Sequence, residues 1–254
     1  MNQLLRERPD EFISIQIHSG HTSWGNQRSS FYNVTGIPVT WFDGVIQRLG
    51  ASSDQQAYSS YSSAINSRLN VATDVTIDIS AVETATQTYD VTATVGIEAG
   101  GTGKSMTVIL LQVLDYYPTS SDYRYRNCVR QHLGTQTVTL AAGETADVSF
   151  TCTLSGLDWT DRRNVKIIAM AQQPGSPAPK QIYQANYIAW PIAVVPGDVN
   201  GDGDVDLGDL AELLAAYGTC DGDAGYDQDA DFDDSGCIDL SDLATLLSNY
   251  GTGN

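Results

Sequence analysis

Asp198-Val199-Asn200-Gly201-Asp202-Gly203-Asp204-Val205-Asp206-Leu207-Gly208-Asp209 is the stretch on which the reading of this chain turns. It returns 33 residues later as Asp231-Phe232-Asp233-Asp234-Ser235-Gly236-Cys237-Ile238-Asp239-Leu240-Ser241-Asp242. In that register Asp198, Asn200, Gly203, Val205, Asp206 and Asp209 stand over Asp231, Asp233, Gly236, Ile238, Asp239 and Asp242. The match runs on through Leu210/Leu243, Leu213/Leu246, Leu214/Leu247, Tyr217/Tyr250 and Gly218/Gly251. Self-similarity at a fixed offset marks an internal duplication whose copies bury their apolar faces against each other.

Oxygen donors at loop positions 1, 3, 5, 7, 9 and 12, with glycine at 6 and an aliphatic residue at 8, form the pattern of a calcium loop. In the first copy the expected side-chain ligands are Asp198, Asn200, Asp202 and Asp209. Asp204 offers its carbonyl, and Asp206 acts directly or through water. In the second they are Asp231, Asp233, Ser235 and Asp242, with the carbonyl of Cys237 and help from Asp239. Two Ca²⁺ ions are expected. Without them the carboxylates of each loop repel one another at close range, so the metal is expected to be part of the fold. Residues 207–217 and 240–250 carry leucines at i, i+3, i+6 and i+7, one helical face, and each run stops at a glycine, Gly218 or Gly251.

These loops, D-x-N-x-D-G-x-V-D-x-x-D and D-x-D-x-S-G-x-I-D-x-x-D, resemble those of a type I dockerin over residues 197–251. The resemblance implies a small all-α module of paired calcium loops and helices. It also implies attachment to a cohesin-like or other cell-surface protein. Loop positions 10 and 11, where that family presents partner-reading hydroxyls, are here Leu207, Gly208, Leu240 and Ser241. An acidic insertion, 220–230, separates the copies, and Cys220 and Cys237 are candidates to staple it to the second loop.

Charge follows the same division. Residues 197–254 hold 15 Asp or Glu and no Lys or Arg, against 16 acids and 13 bases in residues 1–196, so the net −18 belongs mostly to the acidic module. Nothing is basic enough for nucleic acid or an anionic membrane. The chain has no apolar run of about 18 residues, hence no expected transmembrane segment. Its first ten residues are too polar for a signal peptide. Calcium loops, four cysteines and a Ser/Thr-rich middle suit the extracellular side or the cell surface. The chain is therefore expected to begin inside a longer gene product or at a misassigned methionine.

Residues 1–70 read as helix end, strand at 12–18, polar loop at 20–30, strand from Pro38, a turn at Asp43-Gly44, and a helix at 52–69. Around Gly36-Ile37-Pro38-Val39-Thr40-Trp41-Phe42-Asp43-Gly44 this order resembles the later part of a thioredoxin-like domain, similar to the Omp28-like group. That resemblance implies a cis-proline at Pro38. It also implies a Cys-x-x-Cys on the first helix, but no cysteine precedes Cys128. His18 and His21 have no third ligand within sequence reach and read as a strand end.

Residues 71–195 contain alternating runs at 75–80, 86–98, 106–116, 136–140, 146–153, 164–171 and 182–189, the pattern of an immunoglobulin-like β-sandwich. Cys128 and Cys152 are disulfide candidates. Gly103-Lys104-Ser105 lacks the upstream glycine and following helix of a phosphate loop, and reads as a hairpin. Tyrosines and arginines crowd residues 116–130, either as a partner or glycan surface or as a loop packed by its own rings.

The expected fold is multidomain α+β, with a truncated thioredoxin-like domain at 1–70, a sandwich at 71–195 and the calcium module at 197–254. The expected function is non-catalytic attachment through the calcium module. The alternatives are a thiol–disulfide oxidoreductase whose Cys-x-x-Cys is missing from this chain, and a carbohydrate-binding sandwich.

Overall fold

The computed structural model describes residues 2–9, 11–18, 22–50, 52–118, 124–190, 192, 195–201, 204–233 and 235–252. It divides into two compact units. The first is Met1–Ser80, Val91–Cys152 and Gly156–Ile192; the second is Ala81–Asp90, Thr153–Ser155 and Ala193–Asn254. The elements are α1 (Asn2–Glu7), α2 (Ser23–Phe31), β1 (Val39–Phe42), β2 (Ile46–Leu49), α3 (Asp54–Leu69), β3 (Val75–Ala85), β4 (Thr88–Ile97), β5 (Lys104–Leu114), β6 (Tyr117–Pro118), β7 (Arg124–Tyr125), β8 (Cys128–Leu140), β9 (Thr145–Thr153), α4 (Leu157–Thr160), β10 (Val165–Gln172), β11 (Ile182–Ala189), α5 (Leu207–Ala216) and α6 (Leu240–Asn249). The protein is a mixed α+β fold of antiparallel sheets.

Two sheets dominate, one ordered β3-β4-β9 and the other β11-β10-β5-β8. Strand β5 explains the layering. Because side chains alternate across a strand, Met106, Val108, Leu110 and Leu114 share one face of β5 and Ile109, Leu111 and Val113 the other, and all are buried. A strand apolar on both faces needs a layer on each side. The facing sheet supplies one: a Cβ on Gly134 of β8 would overlap the ring of Phe150 of β9. On the outer surface of β4, by contrast, threonines pair across to β9, Thr92 with Ser149 and Thr94 with Asp147, each at 2.7 Å.

The N-terminal residues form the layer on the other side of β5. Ile109, Leu111, Val113, Val129, Ile168 and Met170 cluster with Trp24 of α2, and Ile13, Ile15 and Ile17 pack against them. This corrects two sequence expectations. Residues 12–18 are not a strand of the N-terminal layer; Gln16 makes a single parallel bridge to Cys128, through Gln16 N–Asn127 O at 3.0 Å and Val129 N–Gln16 O at 2.9 Å. The alternating isoleucines are used on the sandwich sheet instead. Residues 23–30, within the stretch read as loop, form most of α2, because Thr22 caps it by accepting from Gly25 N at 2.9 Å and Trp24 and Arg28, one helical turn apart, are both buried.

A second small core joins Leu4, Phe42, Tyr61, Ala64 and Ile65, tying α1 and α3 to the β1–β2 hairpin. The hairpin turns at Asp43 and Gly44, both at positive φ, and the Ile37–Pro38 peptide is cis. Loop residues 178–182 are laced to this layer: Ala178 N donates to Phe31 O, Lys180 N to Gly44 O and Ile182 N to Asp43 O, at 2.8–3.1 Å. Gly44 has no room for a side chain, since a Cβ there would overlap the Lys180 carbonyl.

Cys128 and Cys152, expected as a disulfide pair, are both free and buried. They stand on strands of different sheets, and Cys128 Sγ is turned to the Val129 carbonyl at 3.9 Å. Burial pushes both thiols up, Cys152 to about 12, with Asp158 adding to it. That is the opposite of what a reactive thiolate needs. The Tyr/Arg segment is packed by its own members over the described residues: Arg126 covers Tyr116 at 4.3 Å and Arg130 covers Tyr117 at 4.8 Å. Asp122 and Tyr123 lie outside the described residues, as does His21. His18 meets the Tyr125 ring at 4.3 Å.

Asp115, buried at the end of β5, accepts from Arg126 Nε and Nη2 at 2.5 and 2.8 Å and from Asn127 N at 3.1 Å. Burial pushes its carboxyl up, but Arg126, Lys166 and Asn127 together hold it below its ordinary value. A carboxyl depressed on folding stabilises the fold fully above its unfolded value, about 3.9, and loses that contribution as pH falls through the lower folded value. Asp115→Asn should therefore lower stability at neutral pH and flatten its dependence below about pH 4. Urea titrations across pH 2–7 measure both effects, and equal slopes for wild type and variant would contradict this role.

Candidate metal centre

The C-terminal unit is built from two matching halves. Asp206 and Asp239 cap α5 and α6 with nearly identical backbone angles, φ −136° and −135°. Each accepts from the amide two residues on, Gly208 N at 2.6 Å and Ser241 N at 2.7 Å. Three residues into each helix stands a fully buried aspartate. Asp209 accepts from Val199 N, Asn200 N and Asp206 N at 2.8–3.1 Å. Asp242 does the same with Phe232 N and Asp239 N at 2.7 and 2.8 Å. The short position-12 side chain thus reaches the loop because it is carried on the first turn of the helix. This is the close approach that Asp requires in place of Glu.

Val199, Val205, Leu213, Ala216, Ala230, Ile238 and Leu246 form the shared core. The halves also clasp each other reciprocally through the aliphatic residue of each loop. Val205 N donates to Thr252 O and Gly251 N to Val205 O, both at 2.8 Å; Ile238 N donates to Thr219 O at 2.9 Å and Gly218 N to Ile238 O at 2.8 Å. Each loop is therefore held by the segment that ends the other half's helix. Beside one clasp, Cys220 and Cys237 are joined in a disulfide.

In the second loop Asp231, Asp233 and Asp242 present carboxylate oxygens within 4.8 Å of one another. Ser235 Oγ lies 3.1 Å from the Cys237 carbonyl, so the donors expected at positions 5 and 7 are neighbours. With its sulfur in the disulfide, Cys237 has only its carbonyl to offer. Asp231 also accepts from Ser235 N and Gly236 N. In the first loop Asp198 accepts from Gly201 N at 2.7 Å. Asp202 lies outside the described residues, together with Gly203 and Asp234. Asp206 and Asp239 are engaged as the caps of α5 and α6. The donor set is oxygen throughout, which fits a hard cation with flexible coordination.

Sequence reading missed Tyr226. From within the insertion its hydroxyl donates to Asp231 Oδ2 at 2.7 Å, and its ring packs on the shared core. An aromatic residue set alone among acids and glycines was the available signal. The positions flagged for partner contact lie at the helix starts. Leu207 and Leu240 are 67% and 68% exposed, and Leu214, Tyr217, Leu247 and Tyr250 are also exposed, in matched pairs.

No protein-family model matches this chain, and no curated protein sequence does. Among solved structures, HBP35 of Porphyromonas gingivalis is similar with TM-score 0.52 at 14% identity, over 65% of this chain and 56% of that one. The chain thus spans little more than half of that protein's length, and the likeness is one of fold. An Omp28 outer-membrane lipoprotein domain from the same organism matches at TM-score 0.33 and 17% identity, over 47% of this chain and 89% of that one. DesR, a β-glucosidase from Streptomyces venezuelae, matches at 0.26 and 20%, over 46% and 15%. Scores that low say nothing about fold. No helix among the described residues is long and apolar enough to cross a membrane.

The disulfide closes a loop of sequence separation 17, which should stabilise the C-terminal unit by about 3 kcal/mol through the unfolded chain. Replacing both cysteines by serine should lower its unfolding free energy by that order in calcium-containing buffer. Loop 2 should also lose cation affinity while loop 1 keeps its own. Unchanged unfolding would mean the pair constrains nothing that the clasp does not already hold.

Proposed function

We propose that this chain is an attachment protein of the extracellular or cell-surface kind, whose dockerin-like C-terminal unit binds two Ca²⁺ ions and thereby docks a protein partner. The observation that carries the reading is the oxygen cluster of Asp231, Asp233 and Asp242, set in a half that repeats in the other. On this reading Ca²⁺ relieves carboxylate repulsion in each loop, fixes the position-12 aspartate of the following helix, and holds the two helix starts in one orientation. The exposed pairs Leu207/Leu240, Leu214/Leu247 and Tyr217/Tyr250 then form the face offered to a cohesin-like partner. Apolar residues at positions 207 and 240 favour a partner surface that is itself apolar.

The remainder of the chain is read as a carrier. The order β11-β10-β5-β8 in one sheet and β3-β4-β9 in the other supports the immunoglobulin-like sandwich reading of residues 71–195. The α2, hairpin and α3 arrangement with cis Pro38 supports the thioredoxin-like reading of residues 1–70, without a cysteine pair. Among the described residues no second reading gains support from a specific contact.

Titration calorimetry tests the metal. Two Ca²⁺ per chain are expected, and Asp209→Ala and Asp242→Ala should each remove one site while leaving the other. A partner captured from the cell surface with Ca²⁺ should be lost with EGTA, and in a Leu207→Asp/Leu240→Asp variant that still binds two ions. No Ca²⁺ uptake, or calcium-independent capture by residues 1–195, would sink the proposal.

A further inference from the structure

Arg28 on α2 is the one Lys or Arg buried among the described residues, 8% exposed. Its guanidinium lies over three rings, Phe31 at 4.4 Å, Tyr32 at 4.8 Å and Trp24 at 5.5 Å. Nη2 donates to the Tyr32 hydroxyl at 2.9 Å and to Gln172 Oε1 at 3.1 Å. Gln172 is itself buried at the end of β10. Its amide orientation is set by Nε2 donating to the Lys180 carbonyl at 2.9 Å. Of the five guanidinium protons, this leaves those on Nε and Nη1. Nε is buried with no partner, and Nη1 makes no hydrogen bond among the described residues. Arg28 also makes no ion pair among them, and burial lowers its pKa against the opposing effect of Tyr32.

A buried cation without a counter-ion is costly, and stacking on aromatic faces offsets only part of that cost. The surroundings offer a place for the missing charge. Small-ligand sites are clefts of about 300–1,000 Å³, and the open cleft beside Arg28 measures ≈ 780 Å³. Ser23, Thr107, Thr135 and Gln172 supply polar atoms to its lining; Trp24, Phe31 and Ile109 supply apolar walls. Arg28 is the one charged side chain lining it among the described residues. Trp24 is held in place by stacking on His132, 5.1 Å between centroids and 15° from parallel.

We propose that this cleft binds a small organic carboxylate, with its charge against Arg28 Nη1 and its apolar body along Trp24, Phe31 and Ile109. Thr107 and Thr135, whose hydroxyls bond Thr137 Oγ1 at 3.3 Å and His132 Nε2 at 2.7 Å, line the same cleft. A monoanion is singled out by charge: one guanidinium neutralises one carboxylate, whereas a phosphate dianion would leave a net buried negative charge in a chain already at −18. The site is independent of the calcium loops, and nothing in the attachment reading requires it.

The test uses the full chain in Ca²⁺ buffer, following the Arg28 Nε–H resonance by NMR during titration with benzoate, its neutral isostere benzamide, and inorganic phosphate. Benzoate should shift that resonance saturably in the millimolar range and bind about tenfold or more tightly than either control. Arg28→Lys, which keeps the charge but loses the guanidinium, should lower benzoate affinity about tenfold with an unchanged circular dichroism spectrum. Equal binding of benzoate and benzamide, preference for phosphate, or no saturable shift would overturn the assignment and leave Arg28 as a packing residue. The wild-type comparison decides this even where Arg28→Lys fails to fold.

Discussion

Carboxylate repulsion is the constraint that governs the C-terminal unit. Ten aspartates fall within two twelve-residue loops, and Asp209 and Asp242 are fully buried at the heart of them. Backbone amides answer part of that charge, since each buried aspartate accepts from the loop it closes and from the cap of its own helix. Those bonds orient the carboxylates but leave Asp231, Asp233 and Asp242 converging within 4.8 Å. Convergence of like charge in a protected loop is the situation a divalent cation relieves. The proposed calcium dependence follows from this balance, and so does the value of the clasp, which holds each loop from the opposite half.

A different constraint shapes the rest of the chain. Strand β5 is apolar on both faces, so it cannot lie at the surface of a two-layer sandwich. The N-terminal residues become its second cover, with Trp24 and three alternating isoleucines spread over the sheet. That demand explains why 12–18 leaves the layer to which its sequence pattern assigned it. It also explains how a helix as polar as α2 is retained: its buried stripe includes Arg28, whose charge is wrapped by rings and by Gln172.

Much of this was readable from residue order alone. The alternating runs touched all seven long strands, though residues 128–135 of β8 fell outside theirs; the Asp43-Gly44 turn marked the hairpin, and the 33-residue register marked both loop-helix units. What escaped were interactions between distant segments. Helix α2 was hidden because an arginine occupies a core position, which no apolar periodicity registers. The free state of Cys128 and Cys152 depends on where two strands of different sheets place their thiols, and spacing along the chain carries no such information. Tyr226 was passed over because its partner, Asp231, was read only as a metal ligand.

Hydrogen exchange of the full chain with and without Ca²⁺ is the most direct measurement of whether cation binding and folding are one event in the C-terminal unit. Amides of Leu213, Leu246, Val205 and Ile238, at the shared core and the clasp, should be protected with Ca²⁺ and exchange orders of magnitude faster in EGTA. Protection in β5 and β10 should be unaffected. Equal protection of those four amides in both buffers would show that the unit folds without a cation, and would contradict calcium-driven ordering as its mechanism.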